Sequence, residues 1–243
     1  MKRQRTGRMA GRLALVTGAS RGIGFEIARA LAGEGCDLVM TSREGKTLAQ
    51  AARKVERLGV RVIEQACDVR SPESVDYLFA VTRGLHRALD VLVNNAGIAH
   101  ANRSVSELPY PLWADVIDTN LTGMFLVTQA SLAIMKRGSV IVSNLSIAAE
   151  RVFAGSAAYN ASKHGALGFT DTLREELRGK GIRVIGLMPG ATDTDIWKTL
   201  WPKAPRRKMM SAETVARAVV DAMLLPENCA VEKLVIMPSG GAL

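Results

Sequence analysis

Tyr159 and Lys163 lie four residues apart in a stretch, Ala157 to Gly179, whose apolar residues recur at helical spacing. That separation puts both side chains on one helix face, where the ammonium can bias the phenol. A free phenol titrates near pH ~10, so it exchanges protons near neutrality only where positive charge supports its phenolate. The pair therefore suits proton transfer to or from a substrate oxygen. Standing alone, the same spacing reads better as an ordinary exposed helix pair. A second chemical signal is Thr17-Gly18-Ala19-Ser20-Arg21-Gly22-Ile23-Gly24, which follows an apolar run and opens a helical one. Glycines let the backbone approach a pyrophosphate closely, and the free N–H groups at a helix start favour its charge. The bland alternative is a turn used only for close strand–helix packing.

A dinucleotide held at such a turn is sorted by the end of the following strand, where an acid binds a ribose 2′-hydroxyl and a base binds a 2′-phosphate. Here the chain reads Thr41-Ser42-Arg43-Glu44. Arg43 offers a permanently charged fork, Ser42 a small hydroxyl, and Arg21 can reach the same phosphate from the glycine turn. NADP(H) is favoured over NAD(H). Glu44 is the contrary signal, because a two-residue shift in register would put an acid at the ribose.

These residues need a scaffold, and the hydrophobic pattern supplies one. Short runs rich in Val, Ile and Leu at Arg12 to Thr17, Asp37 to Thr41, Arg61 to Ala66, Asp90 to Asn94, Ser139 to Asn144, Arg183 to Leu187 and Lys233 to Met237 read as buried strands. Between them, Ile23 to Gly33, Thr47 to Leu58, Pro72 to Gly84, Leu112 to Met135, Ala157 to Gly179 and Ala212 to Leu224 read as helices. The alternation predicts an α/β fold: a single doubly wound Rossmann-type domain with a seven-stranded, mainly parallel sheet flanked by helices on both faces. The expected organisation is a basic tail over 1–10, carrying Lys2, Arg3, Arg5 and Arg8, and one domain over 11–243 with a short substrate lid at about 191–211.

Taken together, the T-G-x-x-x-G-x-G turn, Asn94-Asn95-Ala96-Gly97, Ser146, Tyr159-x-x-x-Lys163 and Pro189-Gly190 resemble the short-chain dehydrogenase/reductase family. The likeness runs from about Gly11 to the end and includes 3-oxoacyl-[acyl-carrier-protein] reductase-like members. It implies a catalytic set of Asn120, Ser146, Tyr159 and Lys163. In that set Tyr159 gives its proton to a carbonyl as hydride arrives from a nicotinamide. Ser146, 13 positions before Tyr159, donates a hydrogen bond to the developing oxyanion, with Ser143 as the earlier, more buried rival. Asn120 interrupts helix bonding and holds a water leading from Lys163. The likeness also implies cofactor contacts from Gly18, Ser20, Arg21, Gly22, Ile23, Gly24, Ser42, Arg43, Asp68, Val69, Asn95, Ala96, Gly97, Tyr159, Lys163, Pro189, Gly190, Thr192 and Thr194. Asp68 would accept from the adenine amino group. Members also pair into dimers and tetramers through the two long helices, so a homotetramer or homodimer is expected.

The reaction that the resemblance implies is hydride transfer between NADP(H) and a carbonyl or secondary alcohol, on a small ketone, a hydroxy acid or a 3-oxoacyl thioester. The reading of another class is a dinucleotide-binding sensor or scaffold without turnover. Trp197, Leu200, Trp201, Pro202, Pro205 and Met210 fall in the lid, where they line a pocket or simply cover the core, and His100, Ala101, Phe153 and Ala154 fall in two further edge loops. Lys136, Arg137, Arg174 and Arg178 are read as helix charges able to attract an acidic carrier, or as solvated surface.

A net charge of +9 favours anions without choosing among them, and no aromatic residues interleave with the basic ones, so no nucleic-acid partner is expected. No run of about 18 to 20 apolar residues marks a membrane span. Three cysteines without C-x-x-C spacing suggest neither disulfides nor a thiolate zinc site, and a cytoplasmic location is expected. Three scattered histidines argue against a catalytic metal.

Overall fold

The computed structural model describes residues 7–241. Lys2, Arg3 and Arg5 of the expected basic tail lie outside the described residues. Arg8 lies inside them, donating to Glu34 and Asp221.

The elements run β1 (Leu13–Thr17), α1 (Gly22–Gly33), β2 (Asp37–Ser42), α2 (Gly45–Glu56), β3 (Val62–Ala66), α3 (Pro72–Arg83), β4 (Leu89–Asn94) and α4 (Tyr110–Ile117). There follow a π turn (Asp118–Thr122), α5 (Gly123–Leu132), β5 (Met135–Asn144), α6 (Ala157–Arg178), β6 (Arg183–Pro189), β7 (Thr192–Asp193), α7 (Trp197–Leu200), β8 (Met210–Ser211), α8 (Ala212–Met223) and β9 (Lys233–Ile236). Seven strands form one sheet in the order β3-β2-β1-β4-β5-β6-β9. Every pairing in it is parallel. β4 is the middle strand with β1 beside it, and the chain reverses its direction of travel across the sheet between β1 and β4. That reversal opens a crevice at the carboxyl ends of those strands.

Side-chain alternation builds a core on each face. Ala14 and Val16 of β1 pack with Ile27 and Leu31 of α1, Leu48 and Val55 of α2, and Val215 and Val219 of α8. Leu13 and Leu15 point the other way, onto Leu78 and Phe79 of α3, Val127 of α5, and Leu173 and Leu177 of α6. Two helix starts are fixed by side-chain caps: Ser71 accepts from the backbone N–H of Ser74 at 3.1 Å, and Ser211 from that of Thr214 at 3.0 Å. Each cap satisfies a donor that the first helical turn leaves open.

The segment expected as one helix from Leu112 to Met135 is different. It starts at Tyr110, widens into the π turn at Asp118–Thr122, and stops at Leu132, so that Met135 already opens β5 opposite Leu89. The pairing then shifts register between Leu89 and Val91. Lys136 and Arg137 therefore sit at the start of a strand and not on a helix. The segment 191–211, expected as a lid, has structure of its own, because β7 and β8 pair in parallel and close the loop that carries α7.

Candidate active site

A cleft of about 1040 Å³ runs along the carboxyl edge of the sheet. Its walls are the β1–α1 turn, the ends of β2 to β6 and the lid.

The β1–α1 turn is shaped by two tight approaches. Gly18 has φ +62°, and a Cβ there would lie 2.9 Å from Ala96 Cα. A Cβ on Gly24 would overlap Asn95 Nδ2 and lie 2.5 Å from Gly18 O. The reason is the Asn95 side chain, which is wedged against the turn: its Nδ2 donates to Thr17 O at 2.9 Å and Gly18 O at 3.2 Å. Asn95 Oδ1 accepts from Asn144 Nδ2 at 2.7 Å, and Thr17 Oγ1 accepts from the N–H groups of Asn95 and Ala96. The turns after β1 and β4 are thus locked to each other and to the end of β5. No side chain caps the start of α1, whose opening residues Gly22 and Ile23 line the cleft. Such a helix start offers open N–H donors and a positive dipole end to an anion.

Of the sequence-predicted cofactor residues, Gly18, Ser20, Arg21, Gly22, Ile23, Ser42, Arg43, Val69, Asn95, Ala96, Gly97, Tyr159, Lys163, Pro189, Gly190, Thr192 and Thr194 line this cleft. Gly24 and Asp68 do not line it. Gly24 is spent on the packing just described. The Asp68 carboxylate accepts two hydrogen bonds from the Arg70 guanidinium, which holds it below the usual carboxylate range. Arg70 also reaches Asp115 on α4. Glu44 lines the cleft beside Arg43, so both the cationic and the anionic signal at the end of β2 face it. Arg21 meets Asp195 of the lid at 3.6 Å; with 75% of the arginine side chain exposed, this pair is worth little and is easily given up.

At the far side of the sheet's midpoint, Ser146, Tyr159 and Lys163 line the same cleft. Ser146 caps a short 3-10 turn (Ile147–Ala149), its Oγ accepting from the backbone N–H of Ala148 at 3.1 Å. Ser143, its rival, is wholly buried. Lys163 is 5% exposed and donates to Asn144 O at 2.9 Å, with Nζ 5.6 Å from the Tyr159 ring centroid. Burial pushes the lysine down to about 8, so it stays mostly charged at neutral pH. Burial pushes the half-buried Tyr159 phenol up, and the hydroxyl of Ser146 pulls it back only in part. A protonated phenol beside an ammonium and a serine hydroxyl is equipped to give up a proton to an oxygen placed between Ser146 and Tyr159.

Asn120 does not line the cleft; it is fully buried in the π turn. Its Oδ1 accepts from the Ile98 N–H at 2.8 Å, and its Nδ2 donates to Ile98 O at 2.9 Å and Ser162 Oγ at 3.0 Å. One side chain thereby ties the segment after β4 to α6 beside Lys163. π turns of this kind gather at functional sites.

Sequence reasoning missed the cleft residues Asn102 and Ser156, the first accepting from Ser156 Oγ at 3.0 Å. Behind them Arg103 N donates to Gly155 O at 2.9 Å, and Asn160 Nδ2 donates to Phe153 O at 2.8 Å. The first two bonds join the loops after β4 and β5, and nothing local in either loop signals the other. His100 is buried, with Nδ1 against Ala101 O, and does not line the cleft. The four charges considered for an acidic carrier are engaged elsewhere. Lys136 lies 3.7 Å from Asp90, and the Arg137 guanidinium packs against Gly181. Arg174 is buried on Asp171, Val184 O and Glu232 O, and Arg178 pairs with Glu175 and Glu232. Among the described residues no cluster of His, Cys, Asp and Glu could hold a metal, and no helix is long and apolar enough to cross a membrane.

The profile of the short chain dehydrogenase family matches residues 12–205. The human protein dehydrogenase/reductase SDR family member 4 is 34% identical over 225 residues, covering 91% of this chain and 79% of its own length. The 3-oxoacyl-[acyl-carrier-protein] reductase of Synechocystis is 37% identical over 191 residues, 77% of each chain. Among solved structures, a short chain dehydrogenase from Burkholderia cenocepacia in complex with NADP superposes with a TM-score of 0.87 at 31% identity, covering 96% of this chain and 98% of that one.

Proposed function

The chain belongs to the short-chain dehydrogenase family, and from that premise we propose that it is an NADP(H)-dependent oxidoreductase acting on the carbonyl or secondary alcohol of a small ketone, a hydroxy acid or a 3-oxoacyl thioester. The observation that carries the reading is that Ser146, Tyr159 and Lys163 share one cleft with the glycine turn.

The residues present fit a nicotinamide dinucleotide. The open start of α1 and the close approaches of Gly18 and Gly22 suit its pyrophosphate. Val69, Asn95, Ala96 and Gly97 suit the adenosine half, and Pro189, Gly190, Thr192 and Thr194 the nicotinamide half. Asp68 and Gly24 act behind this surface, the one through Arg70 and the other through Asn95. Preference for NADP(H) over NAD(H) is supported by Arg21 and Arg43, two cations at the 2′ end against the single acid Glu44.

When bound, the nicotinamide supplies or takes up hydride. The chain does the rest. Ser146 donates to the substrate oxygen, and Tyr159 hands it a proton from the phenolic oxygen. Lys163, held on Asn144 O, offsets the charge left on the ring, and Asn120 keeps the Ile98 segment and Ser162 in place around that lysine. In the oxidative direction the Tyr159 phenolate takes the proton from the alcohol.

The same proposal includes one domain with a lid at about 191–211, and self-association through α4, α5 and α6 as a homodimer or homotetramer. Exposed Trp113 and Phe125 support that association, Phe125 meeting Phe169 edge-on at 6.1 Å. A cytoplasmic location fits three free thiols.

Replacing Tyr159 by Phe tests the core of the reading. Expected is a fall in NADPH consumption by at least roughly a hundredfold, the scale of general acid–base catalysis, with NADPH still bound. Turnover equal to the parent protein refutes the acid–base role, and a protein that binds NADPH but turns over none of a broad carbonyl panel is a sensor instead.

A further inference from the structure

We propose that the substrate is an uncharged carbonyl compound carrying a bulky apolar group, aryl or alicyclic, beside the reacting carbon. The proposal rests on the hydride-transfer reading above and narrows its substrates toward ketones and away from the hydroxy acids.

The cleft that holds Ser146 and Tyr159 is also lined by Ile147 and Phe153, and by Trp197, Leu200 and Trp201 of the lid. Phe153 is 37% and Trp201 44% exposed, so two large aromatic side chains that line the cleft keep uncovered surface. A flat apolar group laid on them removes water from both sides of the contact, and aromatic faces add a preference for rings.

The wall is already fixed. Trp197 Nε1 donates to Thr192 O at 2.8 Å, which satisfies the polar edge of the indole and sets its position. Phe153 is anchored through its carbonyl by Asn160, and the Asn102–Ser156 and Arg103–Gly155 bonds close its loop on the loop after β4. The polar side chains Asn102 and Ser156 are therefore already bonded to one another. Less ordering remains to be done when a substrate binds.

Charge points the same way. The cationic and anionic side chains lining the cleft are Arg21, Arg43, Glu44, Lys54, Lys163 and Asp195. The first four belong to the glycine turn, the end of β2 and α2, at the dinucleotide's 2′ end. Lys163 is bonded to Asn144 O beneath Tyr159. Asp195 is an anion, paired with Lys198 at 2.7 Å and Arg21 at 3.6 Å. Arg103 and Arg151, on the two loops, take no part in the lining. A substrate carboxylate at the lid would give up its water beside Asp195, with Lys198 already paired to that anion and Arg21 assigned to the dinucleotide, whereas a neutral ring gives up little.

The experiment compares ethyl benzoylacetate, benzoylacetate and ethyl acetoacetate with NADPH. The first pair differs in charge at the same ketone, and the two esters differ in ring against methyl. Expected is kcat/KM for the benzoyl ester roughly a hundredfold above its acid and tenfold above the methyl ketone, the range over which apolar and unpaired polar contacts discriminate. Trp201→Ala and Phe153→Ala should remove most of the ring preference and leave NADPH affinity within about twofold, the size of a surface effect. An acid reduced as fast as its ester, or a ring preference that survives both substitutions, overturns the proposal. Binding of ester and acid to the NADP⁺-loaded protein, read by tryptophan quenching, separates the two levels. Preferential ester binding without turnover overturns hydride transfer and supports the substrate class. Tighter binding of the acid, or binding of neither compound, overturns the class.

Discussion

Alanine at Gly24 isolates a glycine whose work is packing, although its place in the turn suggests cofactor contact. Gly24 lies in the first turn of α1 and has no positive φ, so the substitution brings no backbone strain. Its Cβ would overlap Asn95 Nδ2 and press on Gly18 O at 2.5 Å. Asn95 must then leave its bonds to Thr17 O and Gly18 O and loosen the one from Asn144. Two or three hydrogen bonds at about 0.5–1.5 kcal/mol each, plus about 1–3 kcal/mol for overpacking, are set against a helix-propensity gain of at most about 1 kcal/mol. The middle of these ranges is a net loss of about 3 kcal/mol, which lowers the Tm of a chain this size by roughly 6–12 °C. Thermal and urea unfolding followed by circular dichroism measure it, with Gly33→Ala as control. Gly33 ends the same helix and a Cβ there meets nothing within 4 Å, so that change should be neutral or stabilising by up to about 1 kcal/mol. A Gly24→Ala protein as stable as the parent, but with weakened NADPH binding, would refute the packing argument and return Gly24 to the cofactor surface.

Arg43→Ala should raise the Kd for NADPH by roughly 10- to 100-fold, the value of a charge-assisted hydrogen bond, and leave that for NADH nearly unchanged. Equal effects on both cofactors, read by fluorescence titration, would show that Arg43 does not read the 2′-phosphate. Lys163 should titrate near 8 in ¹³C-lysine NMR of the free protein, against about 10.4 for exposed lysines. Because the unfolded chain keeps this proton to higher pH, it binds more protons across that interval, and the unfolding free energy should rise with pH from about 8 to about 10.4. Lys163→Met should abolish the rise; a lysine titrating with the exposed ones would contradict burial as the cause.

The layers of this fold were legible because they rest on local signals. Strand runs such as Asp37 to Thr41 and helix starts such as Ser71-Pro72 carry their periodicity and caps within a few residues, and the observed β2 and α3 match them closely. The miss came where a side chain reaches across the fold. Asp118-Thr119-Asn120-Leu121-Thr122 has ordinary helical composition, and the π turn there is sustained by Asn120 bonding to Ile98, 22 residues away, and to Ser162. The early start of β5 at Met135 likewise depends on Leu89, a partner no window around Lys136 contains.

The site shows the same division, with a consequence for how its residues are to be tested. Spacing, read together with the glycine turn and Ser146, singled out Tyr159 and Lys163, since helix geometry puts residues four apart on one face. It could not find that Gly24 acts through Asn95, that Asn95 holds Asn144, or that Asn144 O receives Lys163 Nζ. That series couples the glycine turn to Lys163 by contacts alone. Two groups in one bonded series do not contribute independently, so Gly24→Ala should move the Lys163 titration as well as the Tm, while Gly33→Ala moves neither by more than a surface change does. A Lys163 midpoint that stays put when Asn95 is displaced would show that Asn144 is held by the sheet alone, through its register with Leu187 of β6, and that the turn and the catalytic pair meet only through the ligand between them.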